Sequence, residues 1–236
     1  MEYISREKVF KDPIFASFIS GWQNIENPSE SNETEEGEYY DEKTDTFRFF
    51  SQKELNKIRD KEINDFNLIT DDIKKHDFEM ICKIVIDSPP HVDEIIFLTE
   101  VMTSFAKDNK LEFTFIPLFK LPWFYEKIEG HHPSTKASYS NFKKFIGEKK
   151  YSGGVLVSDC FELRKMLPDY FNLVQSNYYG HNFFYSEALK TVFSFHYTGQ
   201  IWFYVYSKES MKIIESFINQ NGLIINDTYT TYKTGF

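Results

Sequence analysis

The sequence predicts an α+β fold, a mixed or largely antiparallel sheet with packed helices, and three observations carry that expectation. Residues 190–206 read as two aromatic β-runs around Thr198-Gly199, a hairpin, followed by a helix that Ser207 caps. Residues 78–119 read as strand, helix, strand, the pattern of a β-α-β unit. Aromatic residues make up 18% of the chain, with 25 Phe and 15 Tyr, ample material for a core.

Each element follows from local chemistry. Ile14, Phe15, Phe18, Ile19 and Trp22 recur at helical spacing behind Asp12 and Pro13, which predicts a short helix with an apolar docking stripe. Thr46-Phe47-Arg48-Phe49-Phe50 reads as a strand. Ser51 and Glu54 form a capping box, so a helix should run from there to about Phe66. Phe78–Ile86 predicts a buried strand, and Asp87-Ser88-Pro89-Pro90 stops it before a helix over His91–Lys107. Leu111–Phe119 is the next expected strand. Glu129–Ser140 is expected as a polar loop, with a short Lys-rich helix over Asn141–Glu148. Val155–Val157 predicts a strand, and Ser158-Asp159 cap a helix expected to end at Pro168. A two-residue hairpin loop would place Phe193 and Phe195 on one face with Trp202 and Tyr204. Asn221-Gly222 ends the last helix, and Leu223-Ile224-Ile225 follows as a final strand.

Residues 1–50 are expected to be a helix, an acidic loop and a strand, an extension of one α+β domain over residues 51–236. The acidic loop is the outstanding feature. Between Glu26 and Asp45 there are nine acids against one base, Lys43, a net −8 of the chain's −9. The rest of the protein is therefore nearly neutral. With only four Arg (Arg6, Arg48, Arg59 and Arg164), the composition argues against nucleic-acid binding. No run approaches the length of a membrane-spanning helix and no signal-type leader is evident, so a cytoplasmic location is expected. Cys82 and Cys160 are expected as reduced thiols.

Catalytic signatures are weak. The six histidines show no metal-ligand spacing, and no metal or cofactor is expected. Ser158 stands between strand and helix like a nucleophile elbow, but Leu156 and Cys160 occupy the glycine positions, which favours a helix cap.

Three functional readings follow. The first is a non-enzymatic binding protein, of immunity or inhibitor type, that engages a basic protein partner through Glu30, Glu33, Glu35, Glu36, Glu38, Tyr39, Tyr40, Asp41 and Glu42. The second is a small-molecule-binding domain or enzyme with a pocket at Tyr178, Tyr179, His181, His196 and Trp202. The third is a structural or regulatory subunit docking through the Phe15/Phe18/Trp22 stripe. Composition fixes no oligomeric state.

Overall fold

The structure is a computed structural model that describes residues 2–25, 37–41, 44–66, 78–117, 132–147, 154–177 and 182–233. The strands are β1 (Glu2–Ile4), β2 (Gly37–Asp41), β3 (Thr46–Phe50), β4 (Cys82–Asp87), β5 (Phe113–Pro117), β6 (Gly154–Val157), β7 (Asn182–Ser186), β8 (Thr191–His196), β9 (Gln200–Val205), β10 (Ile224–Ile225) and β11 (Thr231–Tyr232). The helices are α1 (Arg6–Val9), α2 (Pro13–Ile25), α3 (Gln52–Phe66), α4 (Glu94–Asn109), α5 (Pro133–Phe145), α6 (Cys160–Asn177) and α7 (Lys208–Asn221).

Among the described residues, nine strands form one sheet in the order β1-β6-β5-β7-β8-β9-β4-β10, with β11 also on β4, while β2 and β3 pair separately. Every pairing is antiparallel. The fold is thus α+β with an antiparallel sheet. Strands β4 and β5, which α4 joins, are separated in the sheet by β9, β8 and β7, so they share a direction without touching. Both ends of the sheet are closed by very short strands, which offer little edge to a foreign chain.

Strand alternation divides the core in two. Cys82, Ile84 and Ile86 of β4, Phe193 and Phe195 of β8, and Ile201, Phe203 and Val205 of β9 face one way. They pack with residues of α4, α5, α6 and α7, such as Phe105, Phe142, Tyr170 and Phe217. Phe183, Tyr185, Val192 and Tyr204 face the other way and pack with Phe15, Phe18 and Ile19 of α2. Phe18 meets Phe183 edge-on at 4.8 Å and Tyr204 at 4.9 Å. The N-terminal stripe is therefore spent on the chain's own sheet: Phe15 and Phe18 are buried, and only Trp22 is half-exposed. Asp12 starts α2 as predicted, its carboxylate accepting from the Ile14 and Phe15 amides.

Several elements differ from the sequence reading, each for an identifiable reason. Helix α6 runs through Pro168 to Asn177. Beyond the proline, Tyr170, Phe171, Leu173 and Val174 are all buried. Their combined burial outweighs the roughly 3 kcal/mol cost of an interior proline. Helix α5 begins at Pro133, inside the expected polar loop, because the His132 side chain accepts from the Ser134 amide and proline suits the first turn. Strand β7 was hidden in the stretch before the hairpin; its apolar run Phe183-Phe184-Tyr185 feeds both faces.

The β8–β9 loop has three residues, not two. His196 pairs with Gln200, leaving Tyr197-Thr198-Gly199 as the turn, with Gly199 at φ 78°. That slip of one residue regroups the faces, joining Phe193 and Phe195 to Ile201 and Phe203 instead of Trp202 and Tyr204. Gly199 also lies against α4: a Cβ there would meet Glu94 Cδ at 2.6 Å and Ser88 Oγ at 2.8 Å. Gly199→Ala is expected to lower unfolding free energy by about 1–3 kcal/mol from backbone strain alone. Chemical denaturation would check this, an unchanged midpoint counting against the assigned turn.

Candidate functional site

The β2–β3 hairpin is the part of the predicted acidic region that the structure describes. Gly37–Asp41 falls in the acidic stretch whose composition predicts a loop, yet it pairs with Thr46–Phe50 in register, Gly37 opposite Phe50 and Asp41 opposite Thr46. Tyr39 and Tyr40 supply the β-favouring residues, standing opposite Arg48 and Phe47. The ladder splits β3 into two faces. Arg48 and Phe50 lie on one, while Phe47 and Phe49 lie on the other with exposures of 69% and 61%.

The inner face is held by an ionic knot. Arg48 Nε donates to Asp41 Oδ2 at 2.5 Å and Nη1 donates to Glu54 Oε1 at 3.0 Å. The guanidinium also lies 3.9 Å from the centre of the buried Phe50 ring. Glu54 belongs to the capping box that starts α3, accepting from Ser51 N at 3.0 Å and Ser51 Oγ at 2.9 Å. One carboxylate therefore ties the hairpin to the helix that follows it.

The Ser51 amide, then Arg48 and the Ser51 hydroxyl, hold the Glu54 carboxyl down at about 2, below its ordinary 4.5. A depressed folded-state value means the tie is fully present above the ordinary carboxylate range and is lost as pH falls from 4.5 through about 2. The Tm of Glu54→Gln should accordingly fall less steeply than wild type between those pH values. Parallel Tm profiles would contradict the assignment.

The sequence-predicted partner residues fare unequally. Glu38 is exposed on β2 opposite Phe49, and Tyr39 and Tyr40 lie in the same strand. Asp41 is buried and committed to Arg48, so it does not face outward. Glu30, Glu33, Glu35, Glu36 and Glu42 lie outside the described residues. Sequence reasoning missed Phe47 and Phe49 as surface groups, although their alternation about Arg48 signals a two-faced strand.

Of the second predicted site, Tyr178, Tyr179 and His181 lie outside the described residues. His196 and Trp202 come together on the face of the sheet that α2 shares. The half-buried His196 ring stacks on Trp202 at 5.6 Å, and Tyr229 stacks on the same indole at 5.8 Å. Lys83 Nζ lies 4.7 Å from the indole centre. Burial pushes the His196 pKa down.

The polar atoms of this cluster serve one another. His196 Nδ1 bonds Thr198 Oγ1 at 2.7 Å, and Trp202 Nε1 donates to Gln200 Oε1 at 3.0 Å. Gln200 Nε2 donates to Asp87 Oδ1 at 2.8 Å, and Asn226 Nδ2 donates to Asp87 Oδ2 at 2.9 Å. Asn226 Oδ1 in turn accepts from the Thr228 and Tyr229 amides, the turn that lays Tyr229 over Trp202. These contacts pin the C-terminal segment to the sheet.

Other candidates resolve into local structure. The Ser158 amide and hydroxyl both donate to Glu162 at 3.0 Å, and Asp159 accepts from the Phe161 and Glu162 amides, which is helix capping for α6. Cys82 and Cys160 are free thiols, and burial pushes Cys82 up to about 11, far from thiolate chemistry at neutral pH. Among the described residues, no group of three or more His, Cys, Asp or Glu is arranged to hold a metal ion. No described helix is long and apolar enough to cross a membrane. Comparison of the chain with protein-family models, curated proteins and solved structures gives no match.

Proposed function

We propose that the chain is a non-enzymatic binding protein that engages a basic protein partner through its acidic segment and the β2–β3 hairpin, in the manner of an immunity or inhibitor protein of the cytoplasm. The observation that carries this reading is charge segregation: residues 26–45 hold a net −8 of the total −9. Concentrated charge of one sign raises encounter rates with an oppositely charged surface, and the gain is erased by salt. The described hairpin supports the reading because it gives the segment a folded base. Glu38 points outward there while Arg48, the one base in β3, is neutralised by Asp41 and Glu54.

The test compares wild type with a variant carrying Glu30→Gln, Glu33→Gln, Glu35→Gln and Glu36→Gln as baits in lysate of the source cells. Bound proteins are cross-linked and mapped by mass spectrometry. The expected result is a basic protein cross-linked within residues 26–50 of wild type, lost with the variant and at high salt. Equal recovery on both baits overturns the reading.

A further inference from the structure

We propose that Phe47 and Phe49 are the apolar anchor of this interface, and that the segment they receive is amphipathic, pairing cationic side chains with an apolar stripe. The inference rests on the basic-partner reading and adds what long-range charge lacks, a short-range contact. Single exposed apolar side chains are ordinary on protein surfaces. Phe161 of α6, at 72% exposure, has Asp159 and Glu162 near it in sequence and no other aromatic residue within five positions.

Phe47 and Phe49 differ in arrangement. They stand two residues apart on one face of β3, about 7 Å along the strand, at 69% and 61% exposure. Exposed Glu38 lies directly across from Phe49 on that face. The base between the two rings is turned to the opposite face, where two carboxylates and the Phe50 ring hold it. Among the described side chains, the outer face therefore presents two aromatic rings and an acid, with no cation of β3 to repel a basic visitor.

That combination selects its occupant. Lysine or arginine side chains satisfy Glu38, while aliphatic side chains cover the exposed rings, which are costly to leave in water. A purely cationic surface would use the charge and leave the rings wet. A purely apolar one would meet the repulsion of nothing but lose the steering. Anchors of this type act on dissociation, whereas the flanking charge acts on association.

The test uses the full chain with two fluorescent probes, an amphipathic leucine–lysine peptide and an oligolysine of equal charge, read by anisotropy. Phe47→Thr/Phe49→Thr is the variant, because threonine keeps β propensity and neither ring is buried. The leucine–lysine peptide should bind wild type about tenfold or more tighter than oligolysine. The double variant should abolish that advantage, chiefly through faster dissociation, and leave oligolysine binding unchanged. If the advantage is missing from wild type or survives the double variant while the four Glu→Gln substitutions weaken both probes, the anchor is wrong and the basic-partner reading stands. If neither probe binds, or the Glu→Gln substitutions change nothing, the underlying reading fails as well.

Discussion

Phe184→Ala is expected to lower the unfolding free energy by about 3–5 kcal/mol, the range for truncating a fully enclosed aromatic ring. Phe184 is 0% exposed. Its ring stacks on Phe193 at 5.0 Å, meets Phe115 at 4.9 Å, and contacts Tyr170 and Phe195 at 5.4 Å each. Two of these neighbours sit on adjacent strands in fixed register, Phe115 on β5 and Phe193 on β8. The sheet cannot close around the gap without breaking ladder bonds, so most of the cavity persists. Denaturant titration should show a lower midpoint at unchanged slope. Phe161→Ala, on an exposed ring of α6, is the control and should shift stability by less than about 0.5 kcal/mol. A Phe184→Ala loss below about 1 kcal/mol would mean the site collapses freely, against the packing described.

Phe18→Asp should be more disruptive still, because it combines ring loss with a buried charge. Phe18 fills the seam between α2 and the sheet, against Phe183, Tyr204 and Trp22. Burial already pushes the Tyr204 hydroxyl up to about 12, evidence of how poorly that seam solvates charge. The ring alone contributes about 3–5 kcal/mol, and an unpaired carboxylate adds a desolvation penalty of several more. Helix α2 should then leave the sheet, exposing Phe183, Val192 and Tyr204. Increased binding of a hydrophobic dye with partial loss of helical signal would register this. A folded variant of wild-type Tm would show that α2 does not seal that face.

The sequence carried most of the element list, because capping and alternation are local properties. Asp12-Pro13, Ser51 with Glu54, and Ser207 with Gly222 marked helix ends that the structure retains. The failures came where distant packing overrode a local rule. Pro168 reads as a stop, but the apolar residues beyond it are buried against the sheet. The hairpin register turned on whether Gly199 ends a two- or a three-residue loop, and a contact with α4 more than a hundred residues away favours the latter. Strand order was not legible at all: nothing local says that β9, β8 and β7 lie between β4 and β5.

The site was legible in charge and illegible in geometry. Counting acids located the segment but could not say that Asp41 turns inward to Arg48 while Glu38 stays outside. Nor could it distinguish Phe50, buried under a guanidinium, from Phe49 beside it in water. Those distinctions depend on which way one strand faces.

The most direct test of the account is the salt dependence of association between the full chain and the leucine–lysine peptide, followed by stopped flow. Steering by the acidic segment predicts that kon falls steeply as ionic strength rises, and that the four Glu→Gln substitutions lower kon at low salt and flatten the dependence. A kon that ignores both salt and the substitutions would contradict the claim that this segment recruits a basic partner.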